Sequence, residues 1–320
     1  MKNFPKNFAL IGAAGYIAPR HMQAIKDTGH NLIAAVDKSD SVGILDRFSD
    51  EVDFFTEFER FDRHIEKLRR LDQGKEIHYV SICSPNYLHD AHIRFALRVE
   101  ADAICEKPLV LNPWNLDALH ELEEESGKRI YNVLQLRAHP ALIALKEKVE
   151  KQKRDKKYDI DLTYITSRGK WYFYSWKGNL NHSGGVATNI GIHFFDMLIW
   201  IFGKVEQSDV YHADDKKVSG FLELEKARVR WYLSLDKQDV PPEALQKGNA
   251  TFRSVTVDGE EVEFSGGFTD LHTVVYQRTL AGNGFGIEEA RASIDLAYQI
   301  RNARPVEPKK GCVHPFLKKS

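Results

Sequence analysis

Over its first 130 residues the chain alternates short apolar runs with segments of helical spacing, and this alternation limits the possible folds more than any other feature. "FALIG" reads as a strand, Tyr16 to Thr28 as a helix and "NLIAAVD" as a second strand. Glu57 to Leu71 has helical spacing, "IHYVSICSP" is a strand, and Leu88 to Val99 is a helix. "DAICE", Pro113 to Ser126 and "RIYNVLQL" continue the series as strand, helix and strand. Strands that alternate with helices of about 10–15 residues imply a parallel sheet with helices on both faces.

Beyond residue 130 the pattern changes. A helix over Ala141 to Lys153 ends in a charged, solvated run. Long alternating strands follow: "DIDLTYITSRG", "VEQSDVYHAD", "VSGFLELEKARVRWYLSLD" and "TFRSVTVDGEEVEFSGG". Hairpin turns are expected at Glu225–Lys226 and Asp258–Gly259. One strong helix, Val186 to Phe202, interrupts the strands, and two more over 270–281 and 287–301 close the chain. The expected class is α/β: a parallel-sheet domain over residues 1–130 and an α+β domain over 131–320 with a large, mostly antiparallel open sheet.

Composition narrows the partners. The 45 Lys and Arg nearly balance 46 Asp and Glu, so no global field recruits nucleic acid or an anionic membrane, and any anion must be met by a local cluster. Cys83, Cys105 and Cys312 lack the spacing of a disulfide framework or a zinc site, which fits a reducing compartment, and Cys83 and Cys105, at the ends of apolar runs, read as small core residues. Lys2 and Lys6 before "FALIGAAG" suggest a leader peptide, but the apolar run passes unbroken into a glycine pattern and reads as the first strand. "FFDMLIWIFG" is too short to span a bilayer and contains Asp196, so a cytoplasmic protein is expected.

The glycine pattern is the first motif with chemistry. "ALIGAAGYIAPRH" places Gly12, Gly15 and Ala18 after a strand and at a helix start. Small residues let the backbone approach a pyrophosphate, and the helix N-terminus offers free N–H groups. Gly12, Ala14, Gly15, Tyr16 and Ile17 are the candidate cofactor residues of this turn. Asp37 ends the next strand, where it suits ribose hydroxyls and repels a 2′-phosphate, which favours NAD over NADP. Ser84, Pro85, Asn86 and His89 lie at the carboxyl end of a later strand, where open α/β sheets bind ligands. His89 and His92 lack a third ligand at suitable spacing, so no metal is expected.

"CEKP" ends another strand on the same rim. Glu106 and Lys107 point to opposite faces and need not pair. A lysine in a partly dry cleft can exchange a proton with a substrate hydroxyl.

Taken in order, "IGAAGYIAPRH", "SICSPNYLHDAHI", "ICEKPL" and "GGVATNIGIHFFDML" resemble the Gfo/Idh/MocA oxidoreductases over nearly the whole chain. The resemblance implies an N-terminal Rossmann domain, a C-terminal α/β domain often used in oligomer contacts, and a Lys107–Pro108 bond that is often cis, aiming Lys107 at the nicotinamide. "SRGKWYFYSWKGN", "ARVRWYLS" and "GFTDLHTVVYQRTLAGNGFGIEEAR" are further similar to the WlbA/WbpB group, UDP-N-acetylglucosaminuronate 3-dehydrogenases of bacterial surface polysaccharide (O-antigen) synthesis. That implies NAD, a UDP-linked N-acetylated uronic acid, NADH recycling by 2-oxoglutarate, and a homotetramer.

Under that resemblance Lys107 and His193 are the candidate catalytic groups, with Asn189 where the wider family has Asp. Asn189 and His193 are four apart on one helix face; an amide orients a sugar but carries no proton. Arg168, Tyr172 and Lys177, from the basic and aromatic stretch that also holds Trp171 and Trp176, are expected at the charged substrate, with Trp176 at the cofactor. Gln135 at the cofactor, Arg137 and Tyr276 at the substrate, and Glu106 at the cofactor complete the set. Two other functions fit the same residues: a dehydrogenase of an inositol or free sugar, and a non-catalytic dinucleotide sensor, for which Asn189 in place of Asp is the one sequence argument.

Overall fold

The computed structural model describes residues 4–71, 74–264 and 270–317. The "SGG" that ends the last expected strand segment lies outside them. The first run of elements is β1 (Asn7–Ile11), α1 (Ala18–Asp27), β2 (Asn31–Val36), β3 (Asp53–Phe55), α2 (Phe58–Leu71), β4 (Tyr79–Ile82), α3 (His89–Arg98), β5 (Asp102–Cys105), α4 (Trp114–Ser126) and β6 (Ile130–Asn132). Next come α5 (Pro140–Lys151), β7 (Tyr158–Thr166), α6 (Lys170–Tyr174), α7 (Leu180–Ser183) and α8 (Ile192–Phe202). The chain continues through β8 (Val205–Ala213), β9 (Lys217–Leu224), β10 (Ala227–Ser234), α9 (Pro242–Gln246), β11 (Thr251–Val257) and β12 (Glu260–Glu261), and closes with α10 (Leu271–Leu280) and α11 (Ile287–Asn302).

Two compact units result. The first comprises Met1–Gln135 and Thr269–Arg291, and the second Leu136–Phe268 and Ala292–Ser320. A single cut near residue 130 therefore misses a late segment, carrying α10, that returns to the first unit.

The first unit holds a six-stranded sheet in the order β3-β2-β1-β4-β5-β6, with every neighbouring pair parallel. All five residues of β1 are buried, as suits a central strand covered on both faces. The strand order reverses between β1 and β4, and in such sheets the crevice at the carboxyl ends of those strands is the ligand site. Gly12, Asp37, Ser84 and Glu106 each follow one of these strands and so share that rim. The strand expected over "RIYNVLQL" ends at Asn132, and Gln135 to Ala138 form a tight helical turn instead.

The second unit holds a mixed sheet in the order β12-β11-β7-β10-β9-β8. Only β7 and β10 run parallel; the other pairs are antiparallel. Both expected hairpins form. At the second, Asp258 and Gly259 both take positive φ (53° and 85°), the backbone that a two-residue turn needs to match strand twist. α8 is apolar on nearly every side and packs in this unit's core, where Phe195 meets Trp231 edge to face at 5.4 Å between ring centres. Each such large side chain contributes about 1.5–3 kcal/mol by leaving water.

The stretch Leu180–Phe202 has the length and hydropathy of a membrane span, contrary to the reading of the ten-residue run alone, because α7 and the turn after it extend the helix. The fold buries 78% of an 18-residue apolar window within it. Part of the opposite sheet face is covered by the chain's own tail: His314 stacks on Tyr232, and Phe316 packs beside it. β3, α9 and the short turns over 170–183 were not visible as periodic segments, being three to five residues long.

Candidate active site

The glycine turn is shaped for close approach. Gly12 has φ +91°, and a Cβ there would lie 2.8 Å from the Cys83 carbonyl, so only glycine fits. The Gly12 N–H donates to the Val36 carbonyl and the Gly15 N–H to the Gly12 carbonyl, which closes the loop before α1. Asp37 accepts from the Ala14 N–H at 3.0 Å and from the Ser39 N–H at 2.9 Å, so its carboxylate is fixed beside the turn. Tyr16 is exposed and Ile17 half-buried at the helix start. Gln135, at the end of the first unit's main segment, has a buried Oε1 with no hydrogen-bond partner among the described residues. A cradle that a single methyl would fill, a fixed acid at the end of β2 and an orphaned amide oxygen fit a dinucleotide.

The Ser84 loop is braced from below. Ser84 Oγ bonds His92 Nδ1 at 2.8 Å, and burial lowers His92 to about 4, so its imidazole is neutral at pH 7. His89, expected at the cofactor, is fully buried instead. Its ring nitrogens reach the Ser84 carbonyl at 2.9 Å and the Pro108 carbonyl at 2.7 Å, tying one rim loop to the next. Burial pushes its proton affinity down. Pro85 and the buried Asn86 start the helical turn between those loops.

At the next strand end Lys107 is half-buried and the Lys107–Pro108 bond is cis. Glu106, also expected at the cofactor, turns its side chain inward. Its Oε1 lies 3.0 Å from His21 Nε2 and 3.0 Å from His272 Nε2. Burial alone would raise the carboxyl, but the two imidazole donors outweigh it and hold Glu106 well below the usual carboxylate range. Tyr276, expected at the substrate, is fully buried in the same cluster, its hydroxyl 2.7 Å from His21 Nδ1 and 2.6 Å from Ser81 Oγ. Burial raises both Cys83 and Cys105, which are inert core thiols.

The second unit gathers its own group. Asn189 donates from Nδ2 to the Tyr172 hydroxyl at 2.8 Å, both being buried. Asn189 lies in a π-helical turn, Ala187–Gly191, that leads into α8 and His193; such turns recur at functional sites. Lys177 lies 5.3 Å from the centre of the Trp171 ring and 5.6 Å from that of Trp176. Burial, with Arg168 close by, lowers its proton affinity. Arg168 itself is exposed. A cavity of about 220 Å³ opens beside them, lined by Tyr172, Lys177, Leu180, Gly184, Val186 and Arg301. Arg137 does not join this group. It is buried against Asp196 of α8 in a bidentate pair at 2.7 and 2.9 Å, which anchors the turn before α5.

A fully parallel sheet with a switch point, a glycine cradle and a rim acid define a dinucleotide-binding unit. The chain belongs to the Gfo/Idh/MocA oxidoreductases: residues 6–134 match that family's NAD-binding Rossmann fold and residues 146–265 its C-terminal alpha/beta domain. It is an NAD-dependent dehydrogenase acting on a CH–OH group.

Among solved structures it is similar to the WlbA (WbpB) dehydrogenase of Thermus thermophilus, with 52% identity, a TM-score of 0.93, and coverage of 97% of this chain and 99% of that one. That enzyme is known in complex with NAD and alpha-ketoglutarate, and with NAD and UDP-GlcNAcA. Curated relatives match over less. The Bacillus subtilis (strain 168) protein YteT is 28% identical over 118 residues, 36% of this chain and 28% of its own length. The uncharacterized Escherichia coli (strain K12) oxidoreductase YgjR is 22% identical over 200 residues, 62% of this chain and 58% of its own length.

Proposed function

We propose that this chain oxidises the C3 hydroxyl of UDP-N-acetylglucosaminuronate to the 3-keto sugar and passes the electrons on to 2-oxoglutarate. The observation that carries this reading is near full-length similarity, at 52% identity, to an enzyme bound to NAD with each of those two compounds in turn. Bound NAD supplies the hydride acceptor.

The chain's own residues supply the rest. Lys107 and His193 are the two side chains able to take the hydroxyl proton, and Asn189, steadied by Tyr172, orients the sugar. Arg168 and Lys177 meet the uronate and diphosphate charge that a chain of net charge −1 cannot meet globally. The indole of Trp176 offers a stacking face for a nucleobase or the nicotinamide. Gly12, Ala14, Gly15, Asp37, Ser84 and Gln135 hold the dinucleotide. The balance closes: the sugar loses a hydride and a proton, and 2-oxoglutarate gains both as it becomes 2-hydroxyglutarate.

The setting we propose is cytoplasmic, in supply of sugar nucleotide for bacterial surface polysaccharide, with the chain as a homotetramer. The test is spectroscopic. Purified protein carries a reduced-nicotinamide absorbance band that 2-oxoglutarate bleaches and the sugar nucleotide restores. Arg168→Ala raises KM for the sugar nucleotide about tenfold or more. A band unmoved by either compound refutes the reading.

A further inference from the structure

The buried cluster around Glu106 is built from four elements of the first unit. His21 comes from α1, Ser81 from β4, Glu106 from the end of β5, and His272 and Tyr276 from α10. None is more than 8% exposed. The hydrogen bonds have one consistent direction. Both imidazoles face the same carboxylate oxygen, so each presents an Nε2–H to it. A neutral His21 then has Nδ1 free to accept from the Tyr276 hydroxyl, and the Ser81 hydroxyl donates in turn to the Tyr276 oxygen. The second carboxylate oxygen accepts from the backbone N–H of Lys107 at 3.2 Å.

Glu106 is thus a buried anion held by three N–H donors, one of which belongs to the rim lysine itself. Its backbone is fixed as well: the Glu106 N–H donates to the Ile82 carbonyl, and Asn132 Nδ2 donates to the Cys105 and Glu106 carbonyls. His21 lies in the first turn of the helix that opens at the glycine cradle. The cluster therefore links the dinucleotide helix, the lysine's strand end and the returning helix through one carboxylate. That is more donors than packing requires of an interior position, where an apolar residue of the same size costs nothing in desolvation.

We propose that Glu106, held by His21 and His272, is a positioning residue that fixes the Lys107 backbone relative to the dinucleotide cradle, so that α10 sets the reach of the rim lysine. This inference rests on the reading of Lys107 as a site residue. The same three side chains also have the make-up of a His₂–carboxylate metal site. The hydrogen-bond reading accounts for both carboxylate oxygens and both His21 nitrogens without an ion.

The test compares His272→Phe, which removes the donor, with His272→Gln, whose amide nitrogen falls near the position of Nε2. In the holoenzyme, His272→Phe lowers kcat about 10- to 100-fold, the scale of a misplaced catalytic group, with KM and NAD affinity within about threefold of wild type. His272→Gln recovers most of the loss. Should His272→Phe fail to fold, Glu106→Gln, which keeps the shape and drops the charge, is read the same way. Equal kcat in all folded variants overturns the proposal, as does a loss of kcat that the Gln variant does not repair. One zinc per chain in the wild type, absent from His272→Phe, also overturns it, because the histidines are then ligands. A wild type silent toward the sugar nucleotide counts against the substrate reading alone. The anchor is then decided by the rate at which pyridoxal phosphate and borohydride label Lys107, followed by mass spectrometry: a changed rate in His272→Phe supports it, and equal rates overturn it.

Discussion

His272 Nε2 lies 3.0 Å from Glu106 Oε1, although 166 residues separate them in the chain. The contact is internal to the dinucleotide unit, because the segment carrying α10 belongs to that unit and not to the one that precedes it in sequence. The NAD-binding domain is therefore completed by residues that follow the second sheet.

A fragment ending at Gln135 lacks that segment. It exposes Phe8, which stacks at 5.9 Å on Tyr276, and leaves Glu106 without the His272 donor. It is expected to unfold broadly on heating and to bind no NAD. The same fragment linked to residues 269–291 regains a cooperative transition and NAD binding by titration. An isolated fragment with the whole chain's NAD affinity contradicts this.

Gly12→Ala tests the cradle. The added methyl meets the Cys83 and Ser84 backbone at 2.8–2.9 Å, at a φ of +91°. Strain of this kind costs about 1–3 kcal/mol. A lower denaturation midpoint is expected, with NAD affinity reduced about tenfold or more. Unchanged NAD affinity means that the cofactor does not approach this turn.

Much of the rim was legible from sequence because its signals are local: Gly12, Asp37, Ser84 and Lys107 each sit where a short apolar run stops. What was not legible depends on partners far along the chain. Arg137 has the chemistry of a carboxylate ligand, and only packing shows that its carboxylate is Asp196. Tyr276 reads as ligand-facing from its helix, whereas the return of that helix to the first unit turns it inward. His21 stood within the glycine motif with no assigned role, since nothing local indicates a buried carboxylate beside it. The π-helical turn at Asn189 leaves no mark in apolar spacing.

Tyr172→Phe removes the acceptor of the Asn189 amide. A hydrogen bond of this kind is worth about 0.5–1.5 kcal/mol, so kcat/KM is expected to fall by up to roughly tenfold with little change in Tm. Steady-state kinetics beside a thermal melt checks it. Unaltered kcat/KM would remove Asn189 from the sugar-orienting role.

Burial lowers the proton affinity of His21, His92 and His314, the last two to about 4. Unfolded imidazole titrates near about 6.5, so between these values the unfolded chain binds more protons. Stability is full above about pH 6.5 and declines as pH falls toward about 4. Glu106 acts in the same sense lower down: its contribution is present above the unfolded carboxylate value and is lost only as pH falls through its depressed folded value. Guanidinium midpoints measured from about pH 7.5 to about pH 5 should fall steadily, and a flat profile is inconsistent with neutral buried histidines.

The proposed reaction is oxidation of one sugar carbon by a cofactor that 2-oxoglutarate regenerates. Its most direct measurement is mass spectrometry of UDP-N-acetylglucosaminuronate after incubation with the purified protein and excess 2-oxoglutarate. The expected result is a sugar nucleotide lighter by two hydrogens, formed together with an equal amount of 2-hydroxyglutarate, and neither product with Lys107→Ala that still holds NAD. Unchanged sugar nucleotide alongside turnover of an inositol or free hexose would contradict it.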